Sequence, residues 1–213
     1  MPADFPHCSR QRKTVNWSAT TLLHAGPPMI LYVHAYDIFD RGTTWSRHSG
    51  VTDLHHIILT QTETVQSMVQ KIIRVARNHG TIYTLIINAH GLVNAHGLPV
   101  GKVSISDSAD LDTTTATFMY RLEPYFSDPC NGLELHCCEV LGASAGWTMC
   151  SALADNLNVD VYASVAPQVG VSPWWSSTTA DTRGRFEGRT YRFLPDGSHV
   201  DAVADLRARG LHE

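Results

Sequence analysis

The apolar residues of this chain form short continuous runs that alternate with longer runs at helical spacing. The short runs are rich in β-branched residues, which favours buried strands. They read MILYVHAYDI from Met29, LHHIILTQ from Leu54, TIYTLIINAHG from Thr81, GLELHCC from Gly132 and VDVYASVAP from Val159. The helical runs read TETVQSMVQKIIRVARNHG, DLDTTTATFMYRLEPYF and GASAGWTMCSALADNL. Two further segments, LPVGKVSISDS and GRTYRFLPDGSHVDAV, predict a short hairpin or strand and a late hairpin around PDG.

Strands that alternate with helices predict an α/β fold with a mainly parallel central sheet, flanked by helices on both faces. Binding sites in such sheets form beyond the carboxyl ends of the strands. The segments there are DIFDRGTTWSR after the first strand, NAHG after the third and HCCEV after the fourth. Residues 1–28 are mixed and polar, which indicates a loosely docked arm. No linker interrupts residues 29–213, so we expect a single domain there.

Composition narrows the classes of function. The net charge is −4, and the only basic cluster is Arg10–Lys13, which argues against a nucleic-acid binder. No apolar run reaches the roughly 18 residues of a membrane span, and the first residues have no apolar core typical of a secretory signal. The five cysteines are odd in number and unevenly spaced, which favours reduced thiols over a disulfide framework. We therefore expect a cytoplasmic protein.

A histidine and a cysteine stand at the ends of two predicted strands. His90 ends the third strand, and Cys137 and Cys138 end the fourth. If these strands are neighbours, the two side chains face one cleft, where histidine is the usual base for a cysteine nucleophile. Backbone N–H groups of Gly91 and of the turn VLGASAG are placed to stabilise an oxyanion. A cysteine in a buried strand is more often a small core residue, and that interpretation applies to Cys137.

The sequence also contains a competing nucleophile. GASAG, from Gly142 to Gly146, matches the Gly-x-Ser-x-Gly pattern of a nucleophile elbow between a strand and a helix. Ser144 would attack, His199 would act as base and Asp181 would orient it. Against this hypothesis, LELHCCEVLGAS is long for a strand followed at once by a turn.

The 12 histidines raise the question of a metal site. His90 and His96 are six residues apart, and His34 and His136 lie near strand ends, but this spacing matches no compact ligand pattern. We predict no metal and no cofactor.

The residues around His90 and Cys138 resemble the caspase-like cysteine peptidases, a group that includes caspases, legumain, clostripain, gingipain and separase. The shared pattern is an apolar strand ending in His-Gly, followed by an apolar strand ending at the nucleophilic cysteine. The resemblance is strongest to an uncharacterised bacterial caspase-like domain family. That pattern runs Cys-x-Val, Gly eight residues after the cysteine, Leu-Ala, then Asp-Val-x-Ala-Ser. This chain has Cys138-Glu139-Val140, Gly146, Leu153-Ala154 and Asp160-Val161-Tyr162-Ala163-Ser164.

This resemblance implies a three-layer caspase-like sandwich over residues 29–213 and a His/Cys dyad. Cys138 would be the nucleophile, and His90 would protonate the leaving amine. The backbone N–H groups of Gly91 and Cys138 would form the oxyanion hole. In this register GASAG is only the turn into the next helix. His96, in the second copy of Asn-Ala-His-Gly-Leu, would be a loop residue or a substrate contact.

Substrate specificity would come from the loops after the first and fifth strands, with Ser164 in the second of these regions. Arg41 and Arg47 would favour an acidic substrate side chain, whereas Asp37 or Asp40 would favour a basic one. The leading hypothesis is thus an endopeptidase acting on a protein or peptide, as an effector, toxin or stress-triggered protease. A non-catalytic binding module on the same fold and a serine hydrolase using Ser144 remain alternatives, because fold alone does not establish activity.

Overall fold

A computed structural model of the 213-residue chain describes residues 27–36, 53–127, 130–166, 168 and 186–212. The strands are β1 (Met29–His34), β2 (Asp53–Ile58), β3 (Ile82–Asn88), β4 (His90–Val93), β5 (Pro99–Ser106), β6 (Ala109–Leu111), β7 (Gly132–His136), β8 (Val161–Ser164), β9 (Thr190–Phe193) and β10 (His199–Asp201). The α-helices are α1 (Val65–His79), α2 (Ser144–Leu157) and α3 (Val203–Ala208). Two 3₁₀ helices cover Thr115–Tyr125 and Val140–Gly142.

Seven strands form one mainly parallel sheet in the order β10-β9-β8-β7-β3-β1-β2. The strands β1, β2, β3, β7 and β8 pair in parallel, and these are the five strands predicted from the short apolar runs; β2, at the edge of the sheet, is only partly buried. The last two strands, β9 and β10, are antiparallel and form the predicted hairpin around Asp196-Gly197. The α/β class and the mainly parallel sheet are therefore confirmed.

Helix α1 is stabilised by a capping box at its first turn and by a buried apolar face. Thr64 caps it, because the Thr64 hydroxyl accepts the N–H of Ser67 while the Ser67 hydroxyl accepts the N–H of Thr64. Its buried face consists of six residues: Val65, Met68, Val69, Ile72, Ile73 and Ala76. These residues belong to the same core as Met29, Leu31 and Val33 of β1. The helix thus covers one face of the sheet.

The other face of the sheet carries two smaller apolar clusters. Ile30 and Tyr32 of β1 and Ile86 of β3 form a small separate cluster there. Near β8, Tyr162 packs with Phe186 and with Leu206 of α3. Helices therefore contact both faces of the sheet, which is consistent with an α/β sandwich.

Three segments differ from the sequence-based expectation. The run from Asp110 to Phe126 was expected to be an α-helix but forms the 3₁₀ helix Thr115–Tyr125; its threonine-rich start and Pro124 disfavour continuous i→i−4 hydrogen bonding. The segment LPVGKVSISDS forms the single strand β5, one of the two expected forms, but it pairs with β4 and β6 in a separate sheet of order β4-β5-β6. Helix α3 was not predicted.

Residues 1–26 of the predicted arm lie outside the described residues. In the part of the chain that is described, no helix has the length and apolar character needed to cross a membrane.

Candidate active site

The predicted strand ends meet at one edge of the sheet. β3 and β7 are parallel neighbours, with Asn88 opposite His136 in the register. His90 follows Asn88 by two residues, and Cys138 follows His136 by two residues. The backbone segments that carry His90 and Cys138 therefore leave the sheet from neighbouring strands, but His90 begins β4 and does not end β3 as the sequence pattern predicted.

Gly91 and Cys138 are in direct backbone contact. A Cβ atom built on Gly91 would lie 1.6 Å from the carbonyl oxygen of Cys138 and 2.7 Å from its carbonyl carbon. No side chain fits in that space, so a residue with a Cβ atom at position 91 would force the backbones apart. The glycine of the predicted His-Gly pair thus allows the start of β4 to approach the predicted nucleophile.

The sulfur of Cys138 is hydrogen-bonded to the backbone of Gln168. The Gln168 N–H donates to Cys138 Sγ at 3.3 Å, and the thiol lies 3.6 Å from the Gln168 carbonyl oxygen. Cys138 is half-buried, whereas Cys130, Cys137 and Cys150 are buried; all four are free thiols. Among the cysteines that the structure describes, Cys138 is thus the most accessible to a substrate.

Cys137 and Cys150 are packed in the core. Burial is the main reason why the pKa values of both thiols lie far above the ordinary value for cysteine. The Cys137 sulfur lies 3.7 Å from the carbonyl oxygen of Ile87, on the opposite side of β7 from His136. The assignment of Cys137 as a core residue is therefore confirmed, and the thiolate needed for catalysis is disfavoured at both positions.

The chain turns sharply after Cys138. Glu139 has a φ of 49° in the left-handed region, which a non-glycine residue adopts at a cost of about 1 kcal/mol. Its N–H donates to the carbonyl oxygen of Ala166 at 3.0 Å, and its own carbonyl accepts the N–H of Gly142. This turn leads through Val140–Gly142 into α2 and leaves Cys138 at the end of its strand.

The two Asn-Ala-His-Gly-Leu copies have different structures. In the first copy Asn88 is buried at the end of β3, and His90 is exposed at the start of β4, opposite Ser104 of β5. In the second copy the Asn94 side-chain oxygen accepts the N–H groups of His96 and Leu98, which closes the exposed β4–β5 turn. His90 is therefore held by a strand next to Cys138, and His96 lies at a hairpin tip, as the loop assignment expected.

The glycines of GASAG have a packing explanation. A Cβ atom on Gly146 would lie 1.8 Å from the Val140 carbonyl oxygen, and one on Gly142 would lie 2.7 Å from the Pro99 side chain. Ser144 is exposed as the first residue of α2, and His199 packs edge-on against Trp147 with ring centroids 4.9 Å apart. Within the described residues no hydrogen bond joins Ser144 to His199. Asp181 lies outside the described residues.

The predicted substrate-binding residues are only partly described. Asp37, Arg41 and Arg47 lie outside the described residues, so their roles remain predictions. Ser164 is fully buried at the end of β8, where its hydroxyl donates to the Glu187 carbonyl at 2.7 Å and accepts the N–H of Ala166 at 3.0 Å. Its present contacts are internal, and a role in substrate binding remains a prediction.

Sequence reasoning missed a polar cluster on the second face of the sheet. The His34 and His56 rings stack 5.3 Å apart, with 3.1 Å between His34 Nε2 and His56 Nδ1, and Asn88 Nδ2 lies 3.3 Å from His34 Nδ1. Farther along this face Glu134 and His136 are both buried and hydrogen-bonded at 3.0 Å. The signal was available: polar residues two apart in buried strands, as in GLELH, share one face.

These polar groups do not form a metal site in the described part of the chain. Across residues 27–36, 53–127, 130–166, 168 and 186–212, no three His, Cys, Asp or Glu side chains converge in a way that would hold a metal ion.

Comparisons of the chain with protein-family models, with curated protein sequences and with solved structures found no match. Interpretation of the site therefore depends on its geometry and on the sequence pattern.

Proposed function

We propose that this chain is a cysteine endopeptidase of the caspase-like type, with His90 and Cys138 as its catalytic dyad. The observation that carries the proposal is the contact between Gly91 and Cys138 at the carboxyl ends of the neighbouring strands β3 and β7. Through this contact Gly91, the residue after His90, packs against the backbone of Cys138. Among the cysteines that the structure describes, Cys138 is the one that is half-buried and not buried. The mainly parallel sheet with helices supports the finer assignment to a three-layer caspase-like sandwich.

The proposed reaction is acyl transfer to sulfur. The Cys138 thiol gives its proton to His90, and the sulfur bonds to the scissile carbonyl carbon of a protein or peptide. The carbon–nitrogen bond then breaks, and His90 returns the proton to the departing amine. Water hydrolyses the thioester with His90 as base, which releases the acid and restores the thiol. This chemistry needs no cofactor, and we place it in the cytoplasm.

The oxyanion of the tetrahedral intermediate would be stabilised by backbone N–H groups of Gly91 and Cys138. Loss of one such donor typically raises the activation free energy by about 3 kcal/mol. The close backbone approach at Gly91 and the sharp turn at Glu139 are fixed features of the kind a preorganised oxyanion hole needs.

The test is selective alkylation of Cys138. Purified protein is treated with a low dose of iodoacetamide at several pH values, and adducts are located by mass spectrometry of the intact chain and its peptides. We expect one fast adduct, on Cys138, whose rate falls at least tenfold in His90→Ala. His96→Ala is the matched control, because it removes the histidine of the second Asn-Ala-His-Gly-Leu copy.

A peptide library then tests hydrolysis directly. We expect cleavage by the unaltered protein and by His96→Ala, and none by Cys138→Ala or His90→Ala. Slow and equal alkylation of several cysteines, together with an uncleaved library, would contradict the proposal and favour a non-catalytic binding module.

A further inference from the structure

The side chain of Gln168 is fixed by three hydrogen bonds to backbone groups. Its Nε2 donates to the carbonyl oxygens of Ala166 at 3.1 Å and Glu187 at 3.0 Å. Its Oε1 accepts the N–H of Glu187 at 3.1 Å. The carboxamide thus pairs with both backbone groups of Glu187, as a neighbouring strand would, and Gln168 is buried.

The backbone of the same residue reaches the sulfur of Cys138. Its N–H donates to Cys138 Sγ at 3.3 Å, and its carbonyl oxygen lies 3.6 Å from the same sulfur, where it accepts the thiol proton as long as Cys138 is protonated. The adjoining segment is also tied to the residue after the cysteine, since Glu139 N–H donates to the Ala166 carbonyl at 3.0 Å. A side chain held by hydrogen bonds and a backbone donor to the Cys138 sulfur therefore belong to one residue.

Buried Ser164 stabilises the same backbone region through its own hydrogen bonds. Its hydroxyl donates to the Glu187 carbonyl and accepts the N–H of Ala166, which are in the same two stretches of backbone that Gln168 joins. The ends of β8 and of the segment before β9 are thus cross-linked twice, by Ser164 and by Gln168. Little freedom remains for the Gln168 N–H to turn away from the sulfur.

The geometry points to Gln168 as a positioning residue for Cys138, with its carboxamide holding its own backbone N–H where it donates to the thiolate sulfur. This inference rests on Cys138 being the nucleophile proposed above. A donor fixed before the reaction stabilises charge on sulfur without reorganisation when the proton leaves. Gln168 would act through its backbone, and the substrate would not need to touch its side chain.

The experiment is the pH profile of Cys138 alkylation in Gln168→Met. Methionine has a similar length but forms none of the three carboxamide hydrogen bonds. We expect the midpoint of the profile to move up by about one pH unit, so that labelling at a pH below both midpoints falls about tenfold. The maximal rate at high pH should rise by no more than about threefold, because a thiolate of higher pKa is a somewhat better nucleophile once it is fully ionised. Gln61→Met is the matched control, since the exposed Gln61 side chain donates to the Asp107 carboxylate and not to the Cys138 region, and its profile should not move.

A purely structural role predicts a different result. General loosening of the fold would expose Cys137 and Cys150 to alkylation and leave the Cys138 midpoint in place, and that outcome would overturn the inference. So would an unchanged profile in Gln168→Met. If that happens while Cys138 still labels fast and depends on His90, the proposed function stands and only the role of Gln168 is wrong. If Cys138 in the unaltered protein labels no faster than the buried cysteines, the proposed function fails as well.

A second measurement uses the unaltered chain and does not depend on a variant that folds. The backbone amide resonance of Gln168 is followed by NMR as the pH is raised. We expect its proton shift to change with the same midpoint as Cys138 alkylation, and we expect no such change in Cys138→Ala. A Gln168 amide that does not respond to ionisation of Cys138 would overturn the inference.

Discussion

The α-carbon of Gly91 lies so close to Cys138 that a methyl group there would overlap the Cys138 carbonyl oxygen, at 1.6 Å. The two residues belong to segments almost fifty positions apart in the chain, and the parallel pairing of β3 with β7 brings them together. Neither atom is on a flexible side chain, so the overlap could be relieved only by moving the backbone of β4 or of the turn after β7. The position of His90 relative to Cys138 would change with it.

Gly91→Ala should therefore lower both stability and activity. We expect a loss of about 2 to 3 kcal/mol in the free energy of unfolding, as for other substitutions that overfill a packed site. Chemical denaturation measures this, and peptide cleavage or Cys138 alkylation should fall at least tenfold. Gly97→Ala is the control in the same hairpin: nothing lies within 4 Å of its Cβ, and its φ of 74° alone should cost about 1 kcal/mol. Equal losses in the two variants would contradict the packing argument.

The choice between the cysteine and the serine gives a second prediction. Both glycines of GASAG are explained by close packing, and Ser144 starts α2 without a hydrogen bond to His199. We expect Ser144→Ala to retain peptide cleavage within about twofold, whereas Cys138→Ala should lose it. A fluorophosphonate probe should leave the unaltered protein unlabelled. Labelling that survives Cys138→Ala and disappears in Ser144→Ala would instead establish the serine hydrolase.

The sequence predicted the parts of the fold that depend on local pattern. Buried strands and α1 follow from β-branched runs and from apolar residues spaced along one helix face, and the order of strands and helices led to the mainly parallel sheet. It also predicted His90 and Cys138 at strand ends, because the chain passes from an apolar run to small or polar residues there; in the structure each lies two residues beyond its strand of the central sheet, and His90 begins β4. These are local signals, and the structure confirmed the elements that they define.

The remaining features depend on contacts between distant segments. Nothing local indicates that Gly91 touches Cys138, that Gln168 reaches the sulfur or that Gly146 packs against Val140. The Thr115–Tyr125 segment has apolar residues spaced as in a helix, but its threonines and proline select the 3₁₀ form. Ser164 was placed with the substrate by resemblance alone, and its hydrogen bonds to Glu187 and Ala166 arise from the pairing of β8 with β9.

The buried histidine at the end of β1 should make stability depend on pH. Burial, followed by the charge of neighbouring His56, lowers the pKa of His34 to about 4. The Asn88 amide can only donate to His34 Nδ1, so His34 Nε2–H donates to His56 Nδ1 and the ring is held neutral. Its contribution to stability is complete above the unfolded pKa of about 6.5 and is lost as the pH falls from there towards 4.

We therefore expect the free energy of unfolding of the unaltered protein to fall by about 1.5 kcal/mol more than that of His34→Gln between pH 6.5 and pH 5. Urea denaturation at half-unit pH steps measures the two slopes. The control is His96→Gln, which replaces an exposed histidine and should keep the slope of the unaltered protein. Parallel curves for the unaltered protein and His34→Gln would show that His34 is not held neutral by the fold.

The side chains of Glu134 and His136 should stabilise each other strongly, because both are buried on the second face of the sheet. Glu134 also accepts a hydrogen bond from Asn131 at 2.8 Å, and the His136 ring stacks on Phe186 with centroids 4.4 Å apart. Removal of Glu134 takes the carboxylate away from both His136 and the Asn131 amide, which are buried, so Glu134→Leu should cost about 3 kcal/mol or more. His136→Phe keeps an aromatic ring against Phe186 and removes the other partner.

A double-mutant cycle separates this coupling from the loss of packing. The double variant should be less destabilised than the sum of the two single variants by about 1 to 3 kcal/mol, since neither polar group is then left alone. Lys102 and Asp112 form a half-exposed pair at a similar distance, 3.1 Å, and Lys102→Met should cost less than about 1 kcal/mol because water reaches and screens the pair. Additive losses at Glu134 and His136, measured by chemical denaturation, would mean that each group finds another partner when the first is removed, and that the pair does not hold this face of the sheet together.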